Sequence, residues 1–267
     1  MKQIYLFFIL ILVNDAYTQK FKWVKIDEIN LPKTCEYWEV DGLGNYYFME
    51  QQQIAKHNAK GLILYQMSSK KQGEISQLIQ INALKMIVFS ETQQQICILD
   101  NTLTTNGNCF PFENIGLQNV KLVCNSNRPN LIWLYNEYNA GLHLFDFVNN
   151  KIIQSVTNLI SIVGLENVQQ IIEIESNLYV LDSKGKVIVF DLFMNQKYSF
   201  NITGNFIYKG EKTFCTLETS KLNIFTLSGE PLHTIDLPIE STDLVVISNQ
   251  YYFQNKNKII NFELKRD

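Results

Sequence analysis

The chain has 267 residues, 46% hydrophobic and 12% aromatic, which is enough apolar material for one large core or two smaller ones. Its formal net charge is −3, and Arg128 and Arg266 are its only arginines. That balance argues against nucleic acid and against an anionic membrane surface, because neither the positive field nor the planar guanidinium forks that grip phosphate are present in number.

From the N-terminus, Lys2 precedes an apolar run over residues 4–13 (IYLFFILILV), and the chain then turns polar. Ten apolar residues are too few to span a bilayer comfortably and match a signal-peptide core, so residues 1–19 read as a signal peptide cleaved in the stretch 18–20. The first cysteine is Cys35, too distant for a lipoprotein anchor. No later segment reaches the length of a membrane helix, so the mature chain is expected in the periplasm or outside the cell, with no membrane span.

Residues 20–267 repeat one hairpin pattern six times, starting at Tyr46, Ile87, Trp133, Tyr179, Phe214 and Tyr251. Each copy has an aromatic or β-branched cluster, a short polar turn and a second apolar strand. The starts lie 41, 46, 46, 35 and 37 residues apart. A period of roughly 40–45 residues without a helical signal is that of a four-stranded propeller blade. The expected fold is therefore all-β, a single six-bladed propeller with blades near 36–80, 81–112, 120–156, 169–202, 205–237 and 242–267. The last blade is one strand short. Residues 21–29 (FKWVKIDEI) have strand composition and no other place in the count, so this segment is expected to supply the outer strand of blade six and close the ring. Residues 158–167 leave room for a single helical turn.

The stretch Asp41-x-x-Gly44-Asn45-x-Tyr47 resembles a turn found in NHL-like and TolB-like six-bladed propellers. The opening Ile29-Asn30-Leu31-Pro32-x-x-Cys35, the segment 98–103 and the pair Trp133 and Tyr135 resemble a family of secreted propellers of Bacteroidota. The resemblance implies the fold and export. It carries no activity with it.

Of the five cysteines, Cys35, Cys97, Cys109, Cys124 and Cys215, the odd count leaves at least one unpaired, and no pair has zinc spacing. Cys97, Cys124 and Cys215 sit in apolar strand patterns and read as buried thiols. If export allows a bond, Cys109 with Cys97 or with Cys124 is the expected pairing. His57, His143 and His233 are isolated in the sequence and read as ordinary strand histidines. The blade-periodic aromatics read as packing between blades rather than as a carbohydrate platform.

Six-bladed lactonase-like hydrolases hold a divalent metal in the central channel. Glu36, Glu39, Asn125, Glu173, Glu175 and Asp243 are the oxygen donors near inner strands here. They read as solvated surface positions rather than a metal site, and no nucleophile elbow, metalloprotease motif or phosphate loop is present. The expectation is a module of the cell envelope that binds a protein or envelope component, without catalysis, cofactor or metal. A metal-dependent propeller hydrolase of the lactonase or esterase type is the alternative. Trp38, on the first inner strand, and Arg128, in the loop 125–130 (NSNRPN), are the residues expected at the channel mouth.

Overall fold

The computed structural model describes residues 21–266 apart from 51, 69, 71 and 211. The segment 1–19, expected to be a signal peptide, lies outside the described residues.

Strand β1 (Phe21–Asn30) leads the described chain. Blade one consists of β2 (Tyr37–Val40), β3 (Tyr46–Glu50), β4 (Gln53–His57) and β5 (Ile63–Ser68). Blade two consists of β6 (Gln77–Asn82), β7 (Lys85–Ser90), β8 (Gln95–Asp100) and β9 (Phe110–Pro111). Blade three is β10 (Val120–Asn125), β11 (Leu131–Asn136), β12 (Gly141–Asp146) and β13 (Lys151–Val156), followed by a short helix α1 (Leu159–Val163) where a helical turn was expected. Blade four is β14 (Val168–Ile174), β15 (Asn177–Asp182), β16 (Lys186–Phe190) and β17 (Gln196–Asn201). Blade five is β18 (Tyr208–Lys209), β19 (Thr213–Glu218), β20 (Lys221–Thr226) and β21 (Pro231–Asp236). Blade six is β22 (Asp243–Ile247), β23 (Gln250–Asn255) and β24 (Lys258–Arg266), with β1 as its outer strand.

All six sheets are four-stranded, and the fold is the expected six-bladed propeller. One boundary differs. Blade two begins at Gln77 rather than near Ile81, because Gln77–Asn82 pairs with Lys85–Ser90 across a tight turn and forms the inner strand of that blade. The sequence reading had assigned this stretch largely to the end of blade one.

Ring closure follows the expected route. β1 runs antiparallel to β24 from Phe21 opposite Arg266 to Asn30 opposite Lys258, with one bulge between Lys25 and Asp27. The two chain ends are thereby stitched into one sheet, which leaves no unpaired seam between the first and last blades.

The middle strands of each blade read as continuous apolar runs because both faces of the sheet are covered. Successive side chains alternate between the two neighbouring blades. On β3, Tyr46 and Phe48 pack toward blade six, while Tyr47 and Met49 pack toward blade two. On β11, Ile132 and Leu134 pack toward blade two, while Trp133 and Tyr135 pack toward blade four. On β15, Leu178 and Val180 face blade three, while Tyr179 and Leu181 face blade five. The core is therefore six interblade clusters arranged around the ring. Of the blade-periodic aromatics, Tyr46, Tyr47, Trp133, Tyr135, Tyr179, Phe214 and Tyr252 are buried in them, and Tyr251 is half-buried against the cluster of blades five and six. Each such ring contributes on the order of 1.5–3 kcal/mol by removing its apolar surface from water.

Cys97 and Cys109 form a disulfide. Strand β9 pairs with β8 with Ile96 opposite Phe110, so the next residues along, Cys97 and Cys109, come to face each other, with Cα atoms 4.2 Å apart. The reading of Cys97 as a free thiol is thus corrected, and one of the two expected partners of Cys109 is the one found. Cys35, Cys124 and Cys215 remain thiols.

Candidate functional site

The inner strands of all six blades line a central channel with a cavity of about 670 Å³. Its polar wall is contributed by Tyr37 and Glu39 from blade one, Gln77 and Gln80 from blade two, Asn125 from blade three, Gln170 from blade four, Lys209 from blade five and Ser248 from blade six. Several of these side chains are already engaged in joining blades. Gln77 Oε1 accepts from the Val123 N–H at 2.8 Å. The Gln170 amide accepts from the Ile207 N–H and donates to the Ile207 carbonyl, each at 2.8 Å. These bonds satisfy backbone groups at the inner ends of neighbouring sheets, where no ladder partner exists.

Two carboxylates approach the channel from adjoining blades. Burial raises Glu39 to about 7, against the Tyr37 hydroxyl that donates to its Oε2 at 2.9 Å. Burial likewise raises Asp243, which accepts from the Leu244 N–H at 2.8 Å and from the Tyr208 hydroxyl at 3.4 Å. In both groups burial disfavours the charged form, which is the form a cation's ligands take.

Of the other oxygen donors singled out in the sequence, Asn125 lines the channel wall, and the three remaining glutamates do not join it. Glu173 points away from the channel: its carboxylate is buried, with Oε2 accepting from Trp133 Nε1 at 2.6 Å and Oε1 from the Asn127 N–H at 3.0 Å. Glu175 occupies the turn after β14 with a positive φ of 44°, and Glu36 lies at a separate rim cavity of blade one. Among the described residues, no group of three or more His, Cys, Asp or Glu side chains is arranged to hold a metal ion.

Trp38 is 3% exposed and does not line the channel. Side chains on β2 alternate between the two neighbouring blades: Trp38 and Val40 turn into the core between blades six and one, while Tyr37 packs toward blade two. The Trp38 indole N–H donates to Gln254 Oε1 of blade six at 2.7 Å, which gives it a role in joining blades. Arg128 lies in the loop between β10 and β11, beside Asn125 at the rim, and its guanidinium carbon sits 5.4 Å from the centre of the Trp133 ring. The structure therefore separates the two residues the sequence had grouped. Of the histidines, His143 is buried and bonded to Ser155 Oγ, His57 packs on Phe48, and His233 packs on Phe21.

A second feature was not singled out from the sequence. The outer strand of blade one and the residue before it expose four consecutive large apolar side chains: Leu62 (63%), Ile63 (60%), Leu64 (42%) and Tyr65 (44%). Outer strands leave one row of backbone N–H and C=O groups unpaired, and proteins blunt such rows with charge or proline. The other five comply: β1 carries Lys22, Lys25, Asp27 and Glu28, β9 carries Pro111, β13 carries Lys151, β17 carries Lys197, and β21 carries Pro231 and Asp236. Strand β5 (ILYQMS) has no charge and no proline. The next blade in the ring has an outer strand of only two residues, β9.

No family model matches the chain, and no curated protein matches its sequence. Many solved structures share its fold. The WD40 domain of Neurospora crassa Pan2 superposes with a TM-score of 0.61 at 9% identity, covering 90% of this chain and 95% of that one. BBS1N, solved in complex with ARL6, gives 0.60 at 10% identity, covering 91% and 97%. Virginiamycin B lyase from Staphylococcus aureus gives 0.59 at 12% identity, covering 91% and 99%. At such identities the likeness is one of fold.

Proposed function

We propose that this chain is an exported propeller that acts as a protein-binding scaffold, and that it receives an extended segment of a partner protein along the outer edge of blade one. The observation that carries the reading is strand β5: an open row of backbone donors and acceptors, flanked on both faces by exposed Leu62, Ile63, Leu64 and Tyr65 and protected by neither charge nor proline. Unpaired strand edges are completed by another strand, whose backbone supplies the hydrogen bonds while alternate side chains supply selectivity. An uncharged edge with this apolar flank suits an apolar strand.

The fold is compatible with this role, since BBS1N is a propeller found in a complex with another protein. A lyase with the same fold shows why the fold alone does not decide. Export and a place at the cell envelope rest on the apolar run over residues 4–13. They are supported by the Cys97–Cys109 disulfide, a bond that persists in oxidising compartments.

The test is site-specific photocrosslinking from Tyr65, with Tyr198 on the outer strand of blade four as control, followed by mapping of the crosslinked segment. Capture of one protein from Tyr65 but not from Tyr198, lost in Ile63→Lys/Leu64→Lys, supports the reading. Equal capture from both positions, or a crosslink to a second copy of this chain, contradicts it.

A further inference from the structure

A cleft of about 360 Å³ opens at the rim between the turn after β6 and the loop joining β10 to β11. Its wall holds two cations, Lys85 and Arg128, together with the side chains of Asn82, Asn125 and Asn130. No acidic residue lines it. Among the described residues neither cation forms an ion pair. Each instead lies over an aromatic face: Lys85 Nζ is 5.9 Å from the Phe147 ring centre, and Arg128 Cζ is 5.4 Å from that of Trp133. Stacking of this kind fixes a cation in place without neutralising it.

The guanidinium is also short of partners. Arg128 Nε and Nη2 are shielded from solvent and have no hydrogen-bond acceptor. The buried carboxylate that bonds the same Trp133, Glu173, is engaged elsewhere, with Oε2 accepting from Trp133 Nε1 and Oε1 from the Asn127 N–H. The guanidinium charge is thus left without an anionic partner among the described residues, and an anion in the cleft would supply one.

We propose that this cleft is an oxyanion site that recognises a carboxylate, such as an aspartate, a glutamate or the chain terminus of a polypeptide. The loop geometry favours carboxylate over phosphate. Phosphate sites commonly use a cradle of free backbone N–H groups. Here four amides of the loop and its end are engaged: Ser126 N–H donates to the Leu131 carbonyl, Asn127 N–H to Glu173, Arg128 N–H to Ser126 Oγ and Leu131 N–H to the Arg128 carbonyl. What remains is one planar guanidinium, one ammonium and side-chain amides, a donor set suited to a planar two-oxygen acceptor. The site does not depend on strand β5, which belongs to a different blade edge.

Only two arginines occur in the chain, so the Nε–H groups of Arg128 and Arg266 give two signals in a ¹⁵N-edited NMR spectrum, and Arg128→Lys assigns them. The full-length mature protein is titrated with N-acetyl-glutamate-N-methylamide, with its glutamine analogue and with inorganic phosphate. The proposal expects a saturable shift of the Arg128 signal with the carboxylate alone and a still Arg266 signal. It also expects a dissociation constant about tenfold weaker in Lys85→Ala, as loss of a charge-assisted contact implies. Unfolding temperatures of both variants confirm that they fold. The proposal is overturned if the two arginine signals drift together with ionic strength, if phosphate saturates the site before the carboxylate does, or if Lys85→Ala binds as tightly as the parent.

Discussion

Lys56 Nζ lies 3.4 Å from Asp41 Oδ2 inside blade one, with the two side chains only 5% and 2% exposed. The aspartate also accepts from the Leu43 and Asn45 N–H groups, the Asn45 side-chain amide and the Tyr47 hydroxyl. The lysine donates to the Asn101 carbonyl of blade two at 3.3 Å, so the pair joins the first turn of the ring to its neighbour. This is the physical content of the Asp41-x-x-Gly44-Asn45-x-Tyr47 pattern: one carboxylate organises the turn, while Gly44 takes the positive φ of 78° that the turn needs.

Removing one member of a buried pair strands the other charge. Lys56→Met should therefore cost about 3 kcal/mol in urea unfolding. Burial alone would raise Asp41, but the hydrogen bonds from Asn45, Tyr47 and Leu43 outweigh it and hold the carboxyl below its ordinary value of 3.8. Its contribution is then present above that value and lost as the pH falls below it. Asp41→Asn should flatten this acid limb of the stability profile, and an unchanged acid limb would show that the carboxylate is not responsible.

Glu39 works in the opposite direction. Burial raises it from 4.5 to about 7, so the folded protein holds this proton more tightly than the unfolded chain does. The resulting stabilisation is complete below about 4.5 and is lost as the pH rises through about 7. In thermal scans between pH 5 and pH 8, the melting temperature of Glu39→Gln relative to the parent should climb with pH. A difference independent of pH would place the raised value elsewhere.

The cysteines divide into one bond and three thiols, with Cys215 buried and Cys35 and Cys124 half-buried. Burial pushes Cys35 up to about 11, Cys215 up to about 12 and Cys124 up as well. Thiolate, not thiol, is the reactive form, so the native protein should resist alkylation at neutral pH. Unfolded without reductant it should release three thiols, and unfolded with reductant all five. Cys109→Ser should lower stability by about 2–3 kcal/mol through loss of the loop constraint.

Trp23 is the anchor of the closing strand. Its ring meets Tyr251, Phe253 and Phe262 of blade six edge-on, and its indole N–H donates to the Asp236 carbonyl of blade five at 2.8 Å. Trp23→Ala should cost about 2 kcal/mol, less than a fully buried tryptophan because the site is half-exposed. Deleting residues 21–30 should lower the melting temperature of the whole ring in one transition, because the missing strand opens the seam between blades that every other interface depends on. Retention of the parental melting temperature would rule out the clasp.

The propeller was readable because its signal is repeated: each blade restates the same alternation, so errors in one copy are corrected by the next. The clasp was readable by counting, since blade six lacked a strand and 21–29 lacked a partner. The boundary of blade two was misplaced because Gln77–Asn82 (QLIQIN) alternates polar and apolar, unlike the aromatic clusters that mark the other hairpins. The burial of Trp38 was hidden for a related reason. A tryptophan on an inner strand attracts attention, but how deeply it sits between two blades depends on a register that one strand of four residues does not reveal. The exposed edge of blade one was available in principle, as the absence of charge in ILYQMS beside KIIQSV, QKYSFN and PLHTID. Its exposure was not, because that depends on the packing around the finished blade rather than on the strand's own composition.

Hydrogen exchange along β5, in the free protein and in the complex recovered by crosslinking from Tyr65, tests the central claim most directly. The account expects the outward-facing amides of Ile63–Ser68 to exchange rapidly in the free protein and to slow markedly in the complex, while those of β13 and β17 stay unchanged. Unaltered exchange along β5, with new protection confined to the channel strands, would contradict it and move the binding surface to the centre of the ring.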